Sequence, residues 1–268
     1  MSFQQLSIVV LAAGNGRRMK SRQQKVMVPL WGKPLLGWVL DSAFDLAPER
    51  VLVVIGHGAD EVRAYVDACY GERVSFVVQE ERRGTGHAVQ QCRPRLGDVE
   101  GNVLVLCGDV PLIRPQTLAL FLHFHRQGSF KASLLSGLVD EPQGYGRVIR
   151  DAGGKVARIV EDREAGPSER VVREINSGVT LFDRKALFAA LEEIEPANAQ
   201  EELYLTDVFH TLKAKKQPIG AFVHDQAEEL FGVNSRAQLN DMGAMLVRRW
   251  REQGEELDLA NILRRISV

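Results

Sequence analysis

Short, continuous apolar runs alternate with amphipathic stretches through roughly the first half of the chain, and this alternation limits the possible folds more than any other feature. Residues 7–11, 51–55, 74–78 and 103–107 are rich in Val, Ile and Leu, while residues 35–44, 60–69, 87–91 and 116–126 carry apolar side chains at helical spacing. A strand that is apolar on both of its faces has to be covered on both. The pattern therefore predicts a parallel sheet with helices on its two faces, and such sheets take ligands at the carboxyl ends of their strands.

From about Lys131 the rhythm changes. Residues 131–139, 146–150, 155–161 and 175–182 read as strands, with hairpin punctuation such as Asp151-Ala152-Gly153-Gly154. The expected fold is α/β: a Rossmann-like, mixed and mostly parallel sheet with helices on both faces and antiparallel additions in the second half. Residues 201–214 and 236–253 are helical by period, with an apolar strand at 218–223 before the second. No repeat, low-complexity tract or Pro/Ser linker interrupts the chain, so residues 1–235 are expected to form the main domain and 236–268 a helical appendage.

Charge narrows the function classes. Lys plus Arg is 34 against 35 for Asp plus Glu, a net charge of -1, so no global field recruits nucleic acid or an anionic membrane. Cys69, Cys92 and Cys107 form no C-x-x-C pair, which suits reduced thiols. The apolar opening run, residues 6–13, is too short for a membrane span and has no basic residue before it. A cytoplasmic protein without membrane or nucleic-acid partners is expected.

After the first strand comes Leu11-Ala12-Ala13-Gly14-Asn15-Gly16-Arg17-Arg18-Met19. Glycines at 14 and 16 let backbone N–H groups approach a phosphate where a side chain would collide. The third glycine of a dinucleotide fingerprint is absent, as is a glycine-lysine-serine/threonine ending, so an ordinary strand-to-loop turn is the competing reading. Between Gly14 and Lys33 lie Arg17, Arg18, Lys20, Arg22, Lys25 and Lys33, with no Asp or Glu. Crowded, uncompensated cations suit an anionic visitor, with a solvated basic face as the alternative. Single-stranded nucleic acid is disfavoured because only Trp31 is interleaved with them.

The Leu11 to Met19 loop, with Lys25 seven residues beyond Arg18, resembles the signature of sugar-1-phosphate nucleotidylyltransferases. The resemblance extends in order through Gly56-His57-Gly58, Gln79, Gly84-Thr85-Gly86-His87-Ala88, Gly108-Asp109-Val110-Pro111-Leu112 and Gly144-Tyr145-Gly146-Arg147. It continues through Ile159-Val160-Glu161, Glu174-Ile175-Asn176-Ser177-Gly178, Glu202-x-Tyr204-x-Thr206-Asp207 and Gly232-Val233-Asn234-Ser235-Arg236. Within the family the sequence is most similar to the uridylyltransferase domain of the bifunctional bacterial enzymes that make UDP-N-acetylglucosamine. The sheet is then expected to be of the nucleotide-diphospho-sugar transferase type.

The resemblance implies a reaction in which a sugar phosphate oxygen attacks the α-phosphorus of UTP in line and releases pyrophosphate, with no protein nucleophile. By the same match, Leu11, Ala12, Ala13, Gly14, Gly16, Gln79, Gly84 and Thr85 would bind the nucleotide, with Gln79 reading the uracil edge. Arg18 and Lys25 would be the catalytic cations, Arg18 bridging phosphate oxygens and Lys25 neutralising the α-phosphate. Asp109 and Asn234 would hold Mg²⁺, whose remaining shell is water and phosphate. Gly146, Glu161, Asn176, Tyr204 and Thr206 would contact the sugar phosphate, with Glu161 accepting from hydroxyls. Taken singly, Asp109 reads as a turn residue, Glu161 as a strand-end charge, Asn176 as a loop-shaping amide and Tyr204 as a core aromatic. His57 and His87 are expected to pack or cap near loops, and no spacing suggests zinc.

Two positions depart from the family pattern: Arg17 replaces a small hydroxyl residue, and Cys107 a larger one. The bifunctional enzymes continue into a left-handed β-helix that acetylates glucosamine-1-phosphate. No hexapeptide repeat occurs here, so neither acetyl transfer nor the β-helix trimer is expected. A related nucleotidylyltransferase with another sugar phosphate or nucleotide, and a non-catalytic nucleotide-sugar sensor, are the rival readings. A sensor would bind without turnover.

Overall fold

In the computed structural model, which describes residues 5–14, 24–56, 58–97, 100–196 and 201–252, the four apolar runs form one parallel block. β1 (Leu6–Leu11) lies between β4 (Arg50–Gly56) and β6 (Asn102–Cys107), and β5 (Val74–Gln79) pairs with β4, all in parallel. Two two-residue strands, β2 (Pro29–Leu30) and β3 (Lys33–Pro34), make a small separate ribbon. Neighbouring side chains of β1 enter different cores: Ile8 and Val10 join one cluster, Val9 the other. That is why the run is apolar throughout instead of alternating.

Helices cover both faces. α1 (Leu35–Phe44), α2 (Asp60–Tyr70) and α5 (Pro115–Gln127) bury Leu36, Val62 and Phe121 with Ile8 and Val53 on one face. α3 (Thr85–Gln90), α7 (Arg184–Leu191) and α8 (Asp207–Ala214) bury Val89, Phe188 and Phe209 with Val9 and Val105 on the other. α4 (Arg93–Leu96) and α6 (Pro167–Arg170) are single turns.

The second half adds β7 (Ala132–Leu138), β8 (Gly146–Arg150), β9 (Val156–Val160), β10 (Glu174–Asp183) and β11 (Ile219–His224). The sheet runs β11-β7-β10-β6-β1-β4-β5, with the β8–β9 hairpin branching from β10. As expected from the change of rhythm, β10 is antiparallel to β6, β7 and β8. β11 adds a parallel pairing with β7, because α7 and α8 carry the chain along the sheet and back before it re-enters.

Two elements differ from the sequence reading. The helix expected over residues 201–214 begins only at Asp207. Tertiary hydrogen bonds claim the preceding backbone: Leu203 N donates to Arg83 O at 2.8 Å, Gly86 N to Leu203 O at 2.7 Å, and Leu205 N to Thr85 Oγ1 at 3.0 Å. α7 was not anticipated, although Asp183 caps it by accepting from Ala186 N at 2.9 Å.

α9 (Arg236–Glu252) packs on the body of the fold through a single stripe. Its Met242, Leu246 and Trp250 pack on Val28, Leu30, Leu35 and Leu112, so its buried stripe faces the segment that leads out of the basic loop.

Candidate active site

Three segments distant in sequence meet at the carboxyl edge of β1 and β6. Lys25 opens a single 3₁₀ turn whose next two residues, Val26 and Met27, are buried in the core, which anchors its stem. Asp109 follows β6 directly. Gly108 N donates to Leu11 O at 3.0 Å, and a side-chain carbon at 108 would lie 3.1 Å from that oxygen, so the loop crosses β1 at close range. Asn234 sits in the turn before α9. Val233 N donates to Asp109 O at 3.0 Å, Gln238 accepts from Asn234 N at 2.7 Å, and Ser235 Oγ accepts from Gln238 N at 3.2 Å. This reciprocal cap at the helix start holds Asn234 in place.

The three side chains converge. The Lys25 ammonium donates to Asn234 Oδ1 at 2.7 Å and forms an ion pair with Asp109. Asp109 and Asn234 thus already face one cation with two hard oxygen donors. A carboxylate and an amide oxygen are the sparse protein ligands Mg²⁺ accepts when phosphates and water complete its shell, so the donor chemistry fits that ion. Among the described residues, no group of three or more His, Cys, Asp or Glu could hold a metal ion, which separates this arrangement from a zinc-type cage.

A cleft of ≈ 250 Å³ runs from this cluster along the carboxyl edge. Leu11, Thr85, Gly146, Glu161, Asn176 and Thr206 line it together with Asp109 and Asn234. A side-chain carbon at 146 would sit 3.6 Å from both Asn176 Cβ and Glu161 Oε2, so glycine keeps that wall open. Asn176 Oδ1 accepts from Gly178 N at 3.1 Å across the irregularity in β10, which fixes the amide. Burial raises the Glu161 carboxyl above its ordinary value; the Thr206 hydroxyl opposes this, and the charges of Glu164, Asp207 and Asp162 add to it. Thr206 donates to Glu161 Oε1 at 3.4 Å.

On the nucleotide side, Ala12 N donates to Val54 O at 2.8 Å and Ala13 and Gly14 follow, so this backbone extends from the end of β1. Gln79 closes β5 and is buried. Its amide nitrogen donates to Gly84 O at 3.0 Å and lies 3.1 Å from His87 Nδ1, so His87 braces Gln79. Burial and the Arg83 charge lower the His87 pKa, which keeps the ring neutral and able to accept. Gly84 is the N-cap of α3 at φ 96, and the Thr85 hydroxyl is occupied by Leu205 N. Gly16, Arg18, Arg17 and His57 lie outside the described residues.

Tyr204 is not brought into the cleft. It lines a neighbouring depression with Glu164, Asp207 and His210, and burial with the charges of Glu164, Glu202 and Glu161 pushes its hydroxyl up to about 12. Asp207, next to the same depression, is raised by burial and by Glu164. The cleft is also lined by residues outside the expected set, among them Tyr145, Ser177 and Cys107. Tyr145 lines the wall, its ring 5.9 Å from Phe231 and its hydroxyl hydrogen-bonded to the Gly232 backbone; its place between two glycines was the available signal. Ser177 joins the wall while its hydroxyl donates to Leu135 O at 2.6 Å. Cys107 also borders the cleft, where burial pushes its thiol up to about 12.

Comparison with known proteins gives the family. Residues 8–204 match the MobA-like NTP transferase domain. The bifunctional protein GlmU of Heliobacterium modesticaldum is 43% identical over 253 residues, covering 93% of this chain and 54% of its own length. GlmU of Bacillus subtilis is 40% identical over 241 residues, covering 90% and 52%. The chain thus spans about half the length of the curated relatives it matches. UDP-glucose pyrophosphorylase in complex with UDP-glucose shares the fold at a TM-score of 0.74 and 19% identity, covering 91% of this chain and 98% of that one. Its apo form gives 0.74 and 18%. With the domain match over most of its length, and with relatives 43% and 42% identical covering nine-tenths of it, the chain belongs to the family of MobA-like NTP transferase domains.

Proposed function

We propose that the protein is a uridylyltransferase that joins UTP and N-acetylglucosamine-1-phosphate to give UDP-N-acetylglucosamine and pyrophosphate. The observation that carries this reading is the convergence of Lys25, Asp109 and Asn234 at the mouth of a cleft lined farther along by Gly146, Glu161, Asn176 and Thr206. Similarity to GlmU over nine-tenths of the chain supports the choice of sugar.

The chemistry needs two polyanions held in line and negative charge neutralised as it develops. The turn from Leu11 to Gly16 offers backbone N–H groups to the triphosphate, and Arg18 bridges its oxygens. Lys25 moves from its Asp109–Asn234 contacts to the α-phosphate, where a point charge lowers the barrier to the pentacovalent state. Asp109 and Asn234 would hold Mg²⁺, which would neutralise triphosphate charge. Gln79, braced by His87, and the Gly84–Thr85 turn read the base. Gly146, Glu161, Asn176 and Thr206 orient the sugar so that its phosphate oxygen meets the α-phosphorus; Tyr204, in the neighbouring depression, would take part only through Thr206 and Glu161 beside it.

Residues 1–235 form the catalytic unit, and 236–268 an appendage whose α9 packs on the segment after Lys25. No helix among the described residues is long and apolar enough to cross a membrane, and the charge balance favours neither a nucleic acid nor an anionic lipid surface as partner. Nucleotide and sugar phosphate substrates suit a cytoplasmic setting. The test is incubation with UTP, CTP, ATP or dTTP, Mg²⁺ and a panel of sugar-1-phosphates, following pyrophosphate. Release with UTP and N-acetylglucosamine-1-phosphate above all other pairs is expected. Preference for another pair would refute the substrate assignment, and binding without release would identify a sensor.

A further inference from the structure

A buried ionic cluster behind the cleft is not used by any step above. Glu229 is 0% exposed and lies in the 3₁₀ turn Ala227–Leu230, five residues before Asn234. Its Oε2 accepts from Thr117 Oγ1 at 2.6 Å and from Arg114 N at 3.3 Å, both at the start of α5. Its Oε1 is paired with the Arg114 guanidinium, and His224 Nε2 and Arg249 Nη2 stand 3.4 and 3.8 Å away. Arg249, on α9, also donates to Leu112 O at 2.7 Å. Arg114 donates to Gln226 Oε1 at 2.5 Å.

These contacts have one arrangement in common. The loop from Asp109 to α5 is gripped at Leu112 and Arg114, and the turn leading to Asn234 is gripped at Gln226 and Glu229. α9, which starts just after Asn234, is gripped at Arg249. All three grips meet at the Glu229 carboxylate. A fully buried carboxylate is retained only where its partners compensate for desolvation. Burial here opposes the charged form, but hydrogen bonds from Thr117 and Arg114 and the charges of Arg114 and Arg249 outweigh it and hold the carboxyl below its ordinary value. The Glu229 carboxylate is therefore held ionised with directional partners, and a hydrophobic plug in the same space would hold the two segments together without setting their register.

We infer that Glu229 is a positioning residue for the divalent cation: it sets the separation of the Asp109 and Asn234 oxygens by tying their two segments to one carboxylate. The inference rests on the assignment of those two residues as the metal ligands. Neighbours that orient metal ligands commonly change affinity by about 10- to 100-fold when lost.

The test uses the full chain with UTP present and Mn²⁺ as probe, read by the electron paramagnetic resonance of free Mn²⁺, alongside KM for the sugar phosphate and thermal unfolding. Glu229→Gln keeps the shape but removes the charge and turns one acceptor oxygen into a donor that faces other donors. It is expected to weaken Mn²⁺ binding about 10-fold or more while KM for the sugar phosphate stays within about twofold. Unchanged Mn²⁺ affinity in a folded Glu229→Gln protein would overturn the inference. Arg249→Met, which releases α9 and Leu112 but leaves Arg114 on Glu229, should give a smaller loss in the same direction, and decides the matter if Glu229→Gln fails to fold. Asp109→Ala is the control. If it leaves Mn²⁺ binding intact the ligand assignment itself fails, whereas loss there with none in Glu229→Gln removes only the role of Glu229.

Discussion

The Lys25 ammonium donates to Asn234 Oδ1 at 2.7 Å although 209 residues separate the two in sequence. The same ammonium pairs with Asp109, so in the free protein a lysine neutralises the oxygens assigned to the metal. In the proposed mechanism a divalent cation would take the place of the ammonium at these oxygens and free Lys25 for phosphate, so that no buried anion would be left uncompensated.

Lys25→Ala therefore has two opposite effects. Turnover should fall roughly 100- to 1,000-fold with KM for UTP changed less than about tenfold, because the charge matters most in the transition state. Mn²⁺ binding to the nucleotide-free protein should tighten, since the competing ammonium is gone. Steady-state kinetics and Mn²⁺ titration check both; equal losses of UTP binding and rate would contradict the role.

Asp109→Ala should abolish activity at limiting Mg²⁺, by about 1,000-fold or more, because one of two protein oxygens is lost and Lys25 is left without its ion pair. The measurement is the Mg²⁺ activation curve at saturating UTP. Unaltered activation would remove Asp109 from the ligand set.

Glu161 links the cleft to pH. Its carboxyl is raised by burial, so it protonates at a higher pH than an ordinary carboxyl and stops accepting from sugar hydroxyls earlier as pH falls. KM for the sugar phosphate should rise on acidification at a pH above the usual carboxylate range. Glu161→Gln should raise that KM roughly 10- to 100-fold and flatten its pH profile. A raised carboxyl contributes stability only where it is protonated and loses it as pH climbs through the folded value. At neutral pH Glu161→Gln is therefore expected to be at least as stable as the parent in urea unfolding.

Gly84→Ala tests the seam between α3 and residues 201–206. At φ 96 a side chain is strained, and its first carbon would lie 2.4 Å from Leu203 O and 2.8 Å from Leu203 N. Backbone cannot yield as a side chain does, so a loss of about 3 kcal/mol is expected in the denaturant midpoint, with KM for UTP raised. A substitution without cost would mean the seam is not held as described.

Much of the scaffold was legible because burial writes a local trace. Val9 and Val10 are apolar side by side only because the strand is covered on both faces, and that pattern predicted the parallel block and the edge where Leu11, Gln79 and Asp109 sit. The ordered motifs then brought in Gly146, Glu161, Asn176 and Asn234 by resemblance, and the cleft contains all four. Periodicity failed at residues 201–206. Their spacing suits a helix, but hydrogen bonds to Arg83, Thr85 and Gly86 take the backbone groups a helix would need.

What the amino-acid order determined by itself was most of the strands and helices and the faces they cover, since each depends on neighbours within a few positions. Only the tertiary structure decided that Lys25 lies against Asp109 and Asn234, that Tyr204 turns to a separate depression, and that Glu229 braces two distant segments. Those relationships join residues tens to hundreds of positions apart. A contact between such residues leaves no period in the sequence, because chain folding alone sets which side chains share the same few ångströms.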